Sequence, residues 1–317
     1  MRKLTSKVMN KYLPICALLL TTFQFAYAQK PDTAQVLVHY KFTHVRDTTN
    51  RDHPYTENMA LYVGKASSAY RSYDNIQEQA EAKKQLQAAL ASSPDGNVRI
   101  NRQRKGSGAE YYEFPNEKKL DRKDQLIMET YLMEDAMPAI DWKISSDTMT
   151  FGGLHCQKAT AHFKGRDYIA WFCPDLPLHV GPWKLNGLPG VIVQAYDVKK
   201  DVQFMFDGVE KVVMVIKPDG KSSAPNANNR GPMIITIDGG DGSDPNIIQL
   251  PKDAIKTTDK EFTKLDAAMR KDPDAFVQSQ MAARNANLPP GADHVRIKIK
   301  AGPQPVINNP IELPEKK

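Results

Sequence analysis

The sequence predicts an α+β fold dominated by a curved antiparallel sheet, with peripheral helices near residues 74–91 and 258–284. Residues 110–207 contain successive short runs of β-forming residues. Turn-forming residues separate these runs, and strands at such spacing pair antiparallel. Only the two named segments show helical periodicity. The prediction leaves two forms of the sheet open, one that stays open and one that closes partly into a barrel.

The N-terminal elements are predicted from the alternation of apolar and polar side chains and from the turn-forming residues between them. Residues 36–45 alternate apolar and polar side chains, which predicts a half-buried strand, and residues 59–63 predict a second one. The polar residues 47–54 between them predict a loop. Asp74 can cap the helix predicted over residues 74–91. Residues 92–108 are rich in Ser, Gly, Asn and basic residues, so we expect a flexible loop there.

The central strands are predicted from runs of apolar and β-branched residues. They cover residues 111–114, 125–132, 139–144, 149–163, 167–172, 191–199, 202–206 and 209–217. Residues 164–167 join two of them, and Gly165 can supply the positive φ that a hairpin turn requires.

The last third of the chain mixes loops with one helical region. Residues 218–232 predict a second flexible loop, 234–237 a short apolar strand, and 258–284 a helical region that Pro273 divides. Thr258 and Glu261 form a capping box at its start. Residues 294–300 alternate as a late strand, and 301–317 form a Pro-rich tail. We therefore expect one domain over residues 29–300.

The N-terminus resembles a secretory signal peptide. Four basic residues precede an apolar run that is too short to span a membrane, and Ala26-Tyr27-Ala28 fits a cleavage site after Ala28. We expect export to the periplasm or envelope, without a membrane span in the mature chain. Removing residues 1–28 leaves 39 basic against 37 acidic residues, a net charge of +2. Such a balance does not indicate a nucleic-acid-binding patch.

Two cysteines remain after this cleavage, Cys156 and Cys173. They lie on the two arms of the predicted hairpin around Gly165, almost opposite one another. An oxidising compartment favours a disulfide between them. Two free buried thiols and a redox role are the alternatives, and the absence of a Cys-x-x-Cys spacing argues against the redox role.

The remaining polar residues suggest no catalytic, metal or cofactor site. The seven histidines lack a zinc-binding spacing, and Asp238, Asp241 and Asp244 lack the order of a calcium loop. Arg166 at the hairpin tip is interpreted as a turn residue or a partner of a nearby carboxylate, or else as an exposed anchor for an anionic ligand or partner. Trp171 and the other two tryptophans are core residues or walls of an apolar groove.

The most unusual local sequence runs from Gly181-Pro182-Trp183 to Gly187-Leu188-Pro189-Gly190. Pro189 and Gly190 fit the centre of a type II turn, and an apolar strand follows them directly. Trp183 is large enough to lock this loop against a sheet. A rigid apolar loop of this kind is a candidate binding surface.

At these residues the chain resembles the GLPGLI family, exported proteins of Bacteroidota. The name-giving motif appears as Gly187 to Ile192, with Val191 where the family typically has Leu. Further similar segments are Cys156-Gln157-Lys158-Ala159, Gly165-Arg166-Asp167-Tyr168-Ile169-Ala170-Trp171, Gly181-Pro182-Trp183, Lys260-Glu261-Phe262 and Asn309-Pro310-Ile311-Glu312-Leu313. Cys173 departs from the family, which more often has a small polar residue there. The resemblance implies an exported, β-rich protein and no particular reaction or cofactor.

Three functions are consistent with the sequence. The first is a non-enzymatic accessory protein that binds an envelope or outer-membrane protein, or an apolar ligand, near the loop from Gly181 to Gly190. The second is a hydrolase or peptidase whose site is not recognisable from sequence, because catalytic triads are defined by geometry. The third is a structural envelope protein in which the motif serves folding.

Overall fold

The computed structural model describes residues 31–92, 106–127, 129–212, 244–285 and 306–315. The helices are α1 (Tyr73–Ser92), α2 (Asp259–Lys271) and α3 (Pro273–Asn285). The strands are β1 (Asp32–Thr33), β2 (Val36–His44), β3 (Tyr55–Val63), β4 (Ser68–Ser72), β5 (Glu110–Phe114), β6 (Lys119–Leu126), β7 (Glu129–Ala136), β8 (Lys143–Phe151), β9 (Leu154–Phe163), β10 (Arg166–Cys173), β11 (Val191–Asp197), β12 (Val202–Lys211), β13 (Ile247–Ile248) and β14 (Ile255–Thr257).

Twelve strands form one large sheet, in the order β14-β7-β6-β5-β4-β3-β2-β12-β11-β10-β9-β8. The β-dominated α+β class is confirmed, and the sheet is not closed. From β7 to β8 along this order, every neighbouring pair of strands is antiparallel. The strand β14 is the difference from the prediction, because it joins β7 in parallel and makes the sheet mixed.

The two faces of the large sheet bury different clusters. The inner face carries Val38, Tyr40, Phe172 and Phe204 among others, which share one apolar core. The outer face carries a smaller cluster around Tyr62 and Tyr112, which the two-stranded β1–β13 sheet and the start of α1 cover. Alternation along each strand separates the two sets.

Both predicted helical regions are present. Thr258 caps α2, and its side chain and that of Glu261 form the predicted capping box. Phe262 of α2 packs edge-on against Tyr131 of β7, with 5.6 Å between ring centroids. Pro273 starts α3, so the predicted break is where the sequence placed it.

Several strand boundaries differ from the prediction because turns lie within apolar runs. The run 125–132 is divided between β6 and β7, where Ile127 adopts a φ of +57°. The run 149–163 is divided between β8 and β9, where Gly152 and Gly153 both have positive φ. The predicted strand 139–144 begins only at Lys143 and extends to Phe151.

Three further strands depart from the prediction. The run 202–206 and the start of the run 209–217 form the single strand β12, in which the register shifts between Phe206 and Gly208; residues 213–217 lie outside the described residues. The strand β3 starts at Tyr55 rather than 59, and the sequence did not indicate β4 at all.

Some predictions lie outside the described residues: the signal peptide 1–28, most of the loop 92–108, the loop 218–232, the strands at 234–237 and 294–300, and Asp238 and Asp241. Within the described part of the chain, no helix is long and apolar enough to cross a membrane.

Candidate functional site

The hairpin of β9 and β10 carries the only disulfide of the described residues. Cys156 and Cys173 face each other across the two strands, with their Cα atoms 4.1 Å apart. Gly165 in the connecting turn has a φ of +70°. The predicted pairing is therefore confirmed, and the alternative of two free thiols is wrong.

The loop that follows this hairpin, residues 174–190, is called the motif loop. It lies on the inner face and contributes Trp183, Leu185 and Leu188 to the core, each at most 2% exposed. Trp183 stacks on Phe204 of β12 with a centroid distance of 6.3 Å. The loop packs on the inner face, so these three side chains are not presented at the surface.

The end of the motif loop is a γ-turn rather than the expected type II turn. The amide of Gly190 donates to the carbonyl of Leu188 at 2.8 Å, which is the three-residue pattern around Pro189. A type II turn would bond the amide of Val191 to Leu188, but that amide donates to Leu176. The loop is thus closed against its own first residues.

Two glycines of the motif allow close backbone approach. A Cβ atom on Gly190, which has a φ of +150°, would overlap the carbonyl oxygen of Cys173. A Cβ atom on Gly181 would come within 2.5 Å of the carbonyl oxygen of Leu185. Gly187 differs: its φ is +90°, but a Cβ atom there would meet no atom within 4 Å. Backbone geometry thus explains why the motif has glycine at positions 181 and 190.

A buried acid of β5 meets the start of the motif. The amide of Gly181 donates to Oε2 of Glu113 at 3.3 Å, and Oε1 of Glu113 has no hydrogen-bond partner among the described residues. Burial raises the pKa of Glu113 well above its ordinary value. Burial therefore favours the neutral carboxyl, which serves as a polar contact inside the core.

Arg166 anchors the residues 306–315, which are called the C-terminal segment. Its guanidinium pairs with Asp197 at 2.8 Å and donates to Asn309 Oδ1 and to the carbonyls of Pro310 and Ile311 at 2.7–2.8 Å. Arg166 is only 4% exposed. It is the partner of a nearby carboxylate, and it is not the exposed anchor of the alternative interpretation.

The motif loop and the C-terminal segment touch each other through Glu312. Its carboxylate accepts from Lys184 of the motif loop at 2.6 Å and pairs with Lys164 at 3.2 Å. Burial raises the pKa of Glu312, but the two lysines outweigh burial and the net shift is downward. The carboxylate is therefore charged where the two elements meet.

A partly open cavity of about 150 Å³ lies on the inner face between β2, β3, β4, β12, the motif loop and the C-terminal segment. Its size is close to that of a site for one benzene-sized ring. Six aromatic rings line it: Phe42, Tyr55, Tyr70, Tyr111, Trp183 and Phe204. Strand register explains the wall, because Phe204 lies opposite Phe42 and Tyr70 lies opposite Tyr111.

The polar part of the cavity wall is formed by Arg46, Tyr55 and Glu57. The guanidinium carbon of Arg46 lies 3.4 Å from the centre of the Tyr55 ring, in cation–π contact. The Tyr55 hydroxyl donates to Glu57 Oε2 at 2.6 Å, and the amide of Ser107 donates to Oε1 at 2.7 Å. Both carboxylate oxygens of Glu57 are thus already in use.

His44 also lines the cavity. Its Nε2 lies 2.8 Å from the carbonyl oxygen of Asn309 and must carry the proton, since a carbonyl can only accept. Burial lowers the pKa of His44 to about 4. The ring is therefore neutral at physiological pH and holds the C-terminal segment at the cavity.

The chemistry available in the cavity is binding and proton transfer. His44 and Glu57 are the groups that could move a proton, but each is held by the partners described above. No group of three or more potential metal-ligating side chains occurs in the ranges that the structure describes. An aromatic wall with one cation suits the retention of a small molecule.

The sequence-predicted residues are distributed unevenly around this cavity. Trp183 lines it directly, whereas the glycines and prolines of the motif shape the loop behind it. Trp171 packs elsewhere, against Phe151 of β8 at 5.9 Å, and the disulfide lies in the core beside the motif loop. Of the predicted motif residues, Trp183 is thus the one that lines the cavity.

The polar residues of the cavity were missed by sequence reasoning. Arg46 lies between the predicted strand 36–45 and the predicted loop 47–54, and Tyr55 and Glu57 lie in the unpredicted first half of β3. The alternation Tyr55, Glu57, Met59 is the signal that could have extended that strand. Nothing in the sequence indicates that Tyr70 of β4 faces the same space.

Comparisons with known proteins give little further information. No protein-family profile and no curated protein matches the chain. Two solved structures of PNGF-II, in space groups C2 and P21, are similar over 57% and 61% of this chain at 10% and 11% identity, with TM-scores of 0.39. The chain spans 28% and 30% of the length of those proteins.

Proposed function

We propose that this chain is an exported, non-enzymatic accessory protein of the GLPGLI family that binds a small apolar ligand in the aromatic cavity. The observation that carries the proposal is the cavity of about 150 Å³, which Trp183 of the motif loop helps to enclose. Small-molecule sites are concave and mostly apolar, with a few polar groups that fix orientation. This cavity has that composition.

The burial of the motif favours a ligand over a protein partner. Leu188 is 1% exposed and Trp183 is 2% exposed. Side chains at this depth contribute no area to a protein–protein interface, which relies on accessible aromatic anchors. The motif therefore supports binding by shaping one wall of the cavity.

Export is supported by the disulfide between Cys156 and Cys173, since such bonds persist in oxidising compartments. Mass spectrometry of the protein recovered from its native cell tests this part. We expect a mature N-terminus at Gln29 and an oxidised cysteine pair. Recovery of an intact N-terminus from the cytoplasm would contradict export.

Ligand binding can be tested with methyl NMR on methionine-labelled mature protein. Met59 lines the cavity, whereas Met133 lies in the separate cluster under α2. Titration with benzene or toluene is expected to shift the Met59 methyl resonance in a saturable manner and to leave Met133 unchanged.

A cavity-filling variant provides the control. Ala109 lines the cavity, so Ala109→Leu should abolish the Met59 response, whereas Ala136→Leu on the exposed end of β7 should preserve it. The proposal is wrong if no small ring shifts Met59 in a protein whose circular dichroism and melting are those of the folded chain.

A further inference from the structure

One hydroxyl at the cavity has no partner. Tyr70 is 3% exposed, and its hydroxyl forms no hydrogen bond with any described residue. Leaving such a group unpaired costs free energy, so nearly all buried polar groups find a partner. Burial raises the pKa of Tyr70, and the groups that act on its hydroxyl are Tyr40, Glu57, Tyr111 and Tyr55. Three of those four groups line the cavity, so the hydroxyl lies among the polar groups of its wall.

The second group at the cavity that could take a further partner is the guanidinium of Arg46. It stacks on Tyr55 and forms a side-chain hydrogen bond with it, and within the described ranges it has no salt bridge to a carboxylate. Burial lowers the pKa of Arg46, and the nearby Tyr55 and Glu57 compensate only in part. The positive charge of Arg46 is therefore only partly compensated, and an anionic ligand group would compensate it further.

Glu57 is the acid that acts on both of these groups. Both oxygens of Glu57 already accept hydrogen bonds, from the Tyr55 hydroxyl and the Ser107 amide. The Tyr70 hydroxyl and the remaining N–H groups of Arg46 can donate hydrogen bonds to a ligand, and Arg46 adds a positive charge. The complementary ligand group is therefore an acceptor that carries negative charge.

We infer that the cavity binds a small aromatic carboxylate, with its ring against Phe42, Phe204 and Trp183 and its carboxylate toward Arg46 and Tyr70. Phe42 stacks on Phe204 with 5.1 Å between ring centroids, and Trp183 stacks on Phe204 with 6.3 Å. Aromatic walls favour a ring through stacked and edge contacts. A guanidinium and a hydroxyl together suit the two oxygens of a carboxylate. The inference rests on the proposed function and adds the chemical class of the ligand.

The test compares four probes of similar size: toluene, benzyl alcohol, benzylamine and benzoate. Binding is followed by the Met59 methyl resonance in the mature protein at pH 7. We expect benzoate to bind about tenfold or more tightly than toluene and benzyl alcohol, and benzylamine to bind most weakly, because one charge-assisted hydrogen bond gives at least that ratio.

Two variants locate the carboxylate. Arg46→Met is expected to remove the preference for benzoate while toluene still binds. Tyr70→Phe should weaken benzoate about threefold to tenfold and leave toluene unchanged. The matched control is Lys41→Met, which removes a cation from the exposed side of β2. If Arg46→Met fails to fold, Tyr70→Phe alone still decides between the outcomes.

The failures of the two proposals differ. Toluene binding without a preference for benzoate, or a preference that survives both variants, overturns the carboxylate assignment and leaves the apolar cavity as the ligand site. A Met59 resonance that responds to none of the four probes overturns both proposals.

Discussion

The motif loop and the C-terminal segment both close the inner face of the sheet, but different forces hold them. The motif loop buries Trp183, Leu185 and Leu188 and depends on the positive φ of Gly190. The C-terminal segment buries one polar side chain, that of Asn309, and is held by ion pairs and by hydrogen bonds to Arg166. One element is attached by apolar area, and the other by specific polar contacts.

This difference implies different responses to solution conditions. Apolar burial is almost independent of pH and salt, whereas ion pairs and histidine contacts are not. Because Ile311 of the C-terminal segment lines the cavity, conditions that loosen this segment alter the cavity as well. The motif loop behind Trp183 should stay in place under the same conditions.

The largest expected effect is that of Arg166→Met. It leaves Asp197, 2% exposed, without its cation and removes the bonds to Asn309, Pro310 and Ile311. Breaking a buried pair by removing one partner costs about 3–5 kcal/mol. Urea unfolding should show a loss of that size, and the amide of Leu313, which donates to Lys164, should exchange faster.

The variant Arg166→Lys keeps the charge but cannot make all of these bonds at once, so its loss should be smaller. The amide of Val191, which donates to Leu176 in the motif loop, serves as the internal reference. If its exchange rises as much as that of Leu313, the two elements are not held independently.

The next effect concerns the motif loop. Gly190→Ala combines a φ of +150° with overlap at the Cys173 carbonyl, so we expect a loss of about 2–4 kcal/mol of unfolding free energy. Gly208→Ala in β12 is the matched control, because its φ of +145° is similar but nothing lies within 4 Å. Gly208→Ala should cost about 1–2 kcal/mol. Equal losses in the two variants would show that the close approach at Cys173 contributes nothing.

The same contrast explains what the sequence could predict. The paired cysteines and the capping box at Thr258 are local patterns, and each led to a correct structural element, whereas the motif predicted a type II turn where the structure has a γ-turn. The cavity arises from residues far apart in the chain, since Phe42, Tyr70 and Phe204 meet only through strand order. The role of Arg166 was open for the same reason, because its partners lie up to 145 residues away.

Turns that lie inside apolar runs were the other limit on predicting the strands from sequence. Ile127 adopts a φ of +57° between two strands that the sequence joined. A β-branched residue rarely takes such a φ, so composition gave no signal for the turn. Glycine pairs such as Gly152-Gly153 are the recognisable form of the same feature.

His44 gives the first pH-dependent test of the C-terminal segment. Burial lowers its pKa from 6.5 to about 4, so the unfolded chain binds more protons between these values. The stability from neutral His44 is fully present above pH 6.5 and is lost as the pH falls toward 4. At pH 5 the loss should be about 1–2 kcal/mol relative to pH 7.

The variant His44→Gln isolates this contribution, because glutamine can donate to Asn309 without titrating. Other groups change with pH as well, including Asp121, whose pKa burial raises to about 6. The measured quantity is therefore the difference between the two proteins in the pH dependence of urea unfolding. Identical pH profiles would show that His44 is not buried against the segment.

The smallest expected effect is at the end of the C-terminal segment, where His162 lies between Asp167 and Glu315. Hydrogen bonds to these two carboxylates, the larger contribution being from Asp167, raise the pKa of His162. A raised pKa has the opposite sign to that of His44: the stabilisation is present below the ordinary pKa and is lost as the pH rises through the folded value. Glu315→Gln should lower the pKa of His162 in an NMR titration, Asp167→Asn should lower it more, and unfolding above pH 8 should be unchanged. Since both side chains are exposed, the effect on stability is small, and the titration is the sensitive measurement. A His162 pKa that does not respond to Glu315→Gln would mean that the segment leaves the hairpin before residue 315 and is held only by the contacts of residues 308–313.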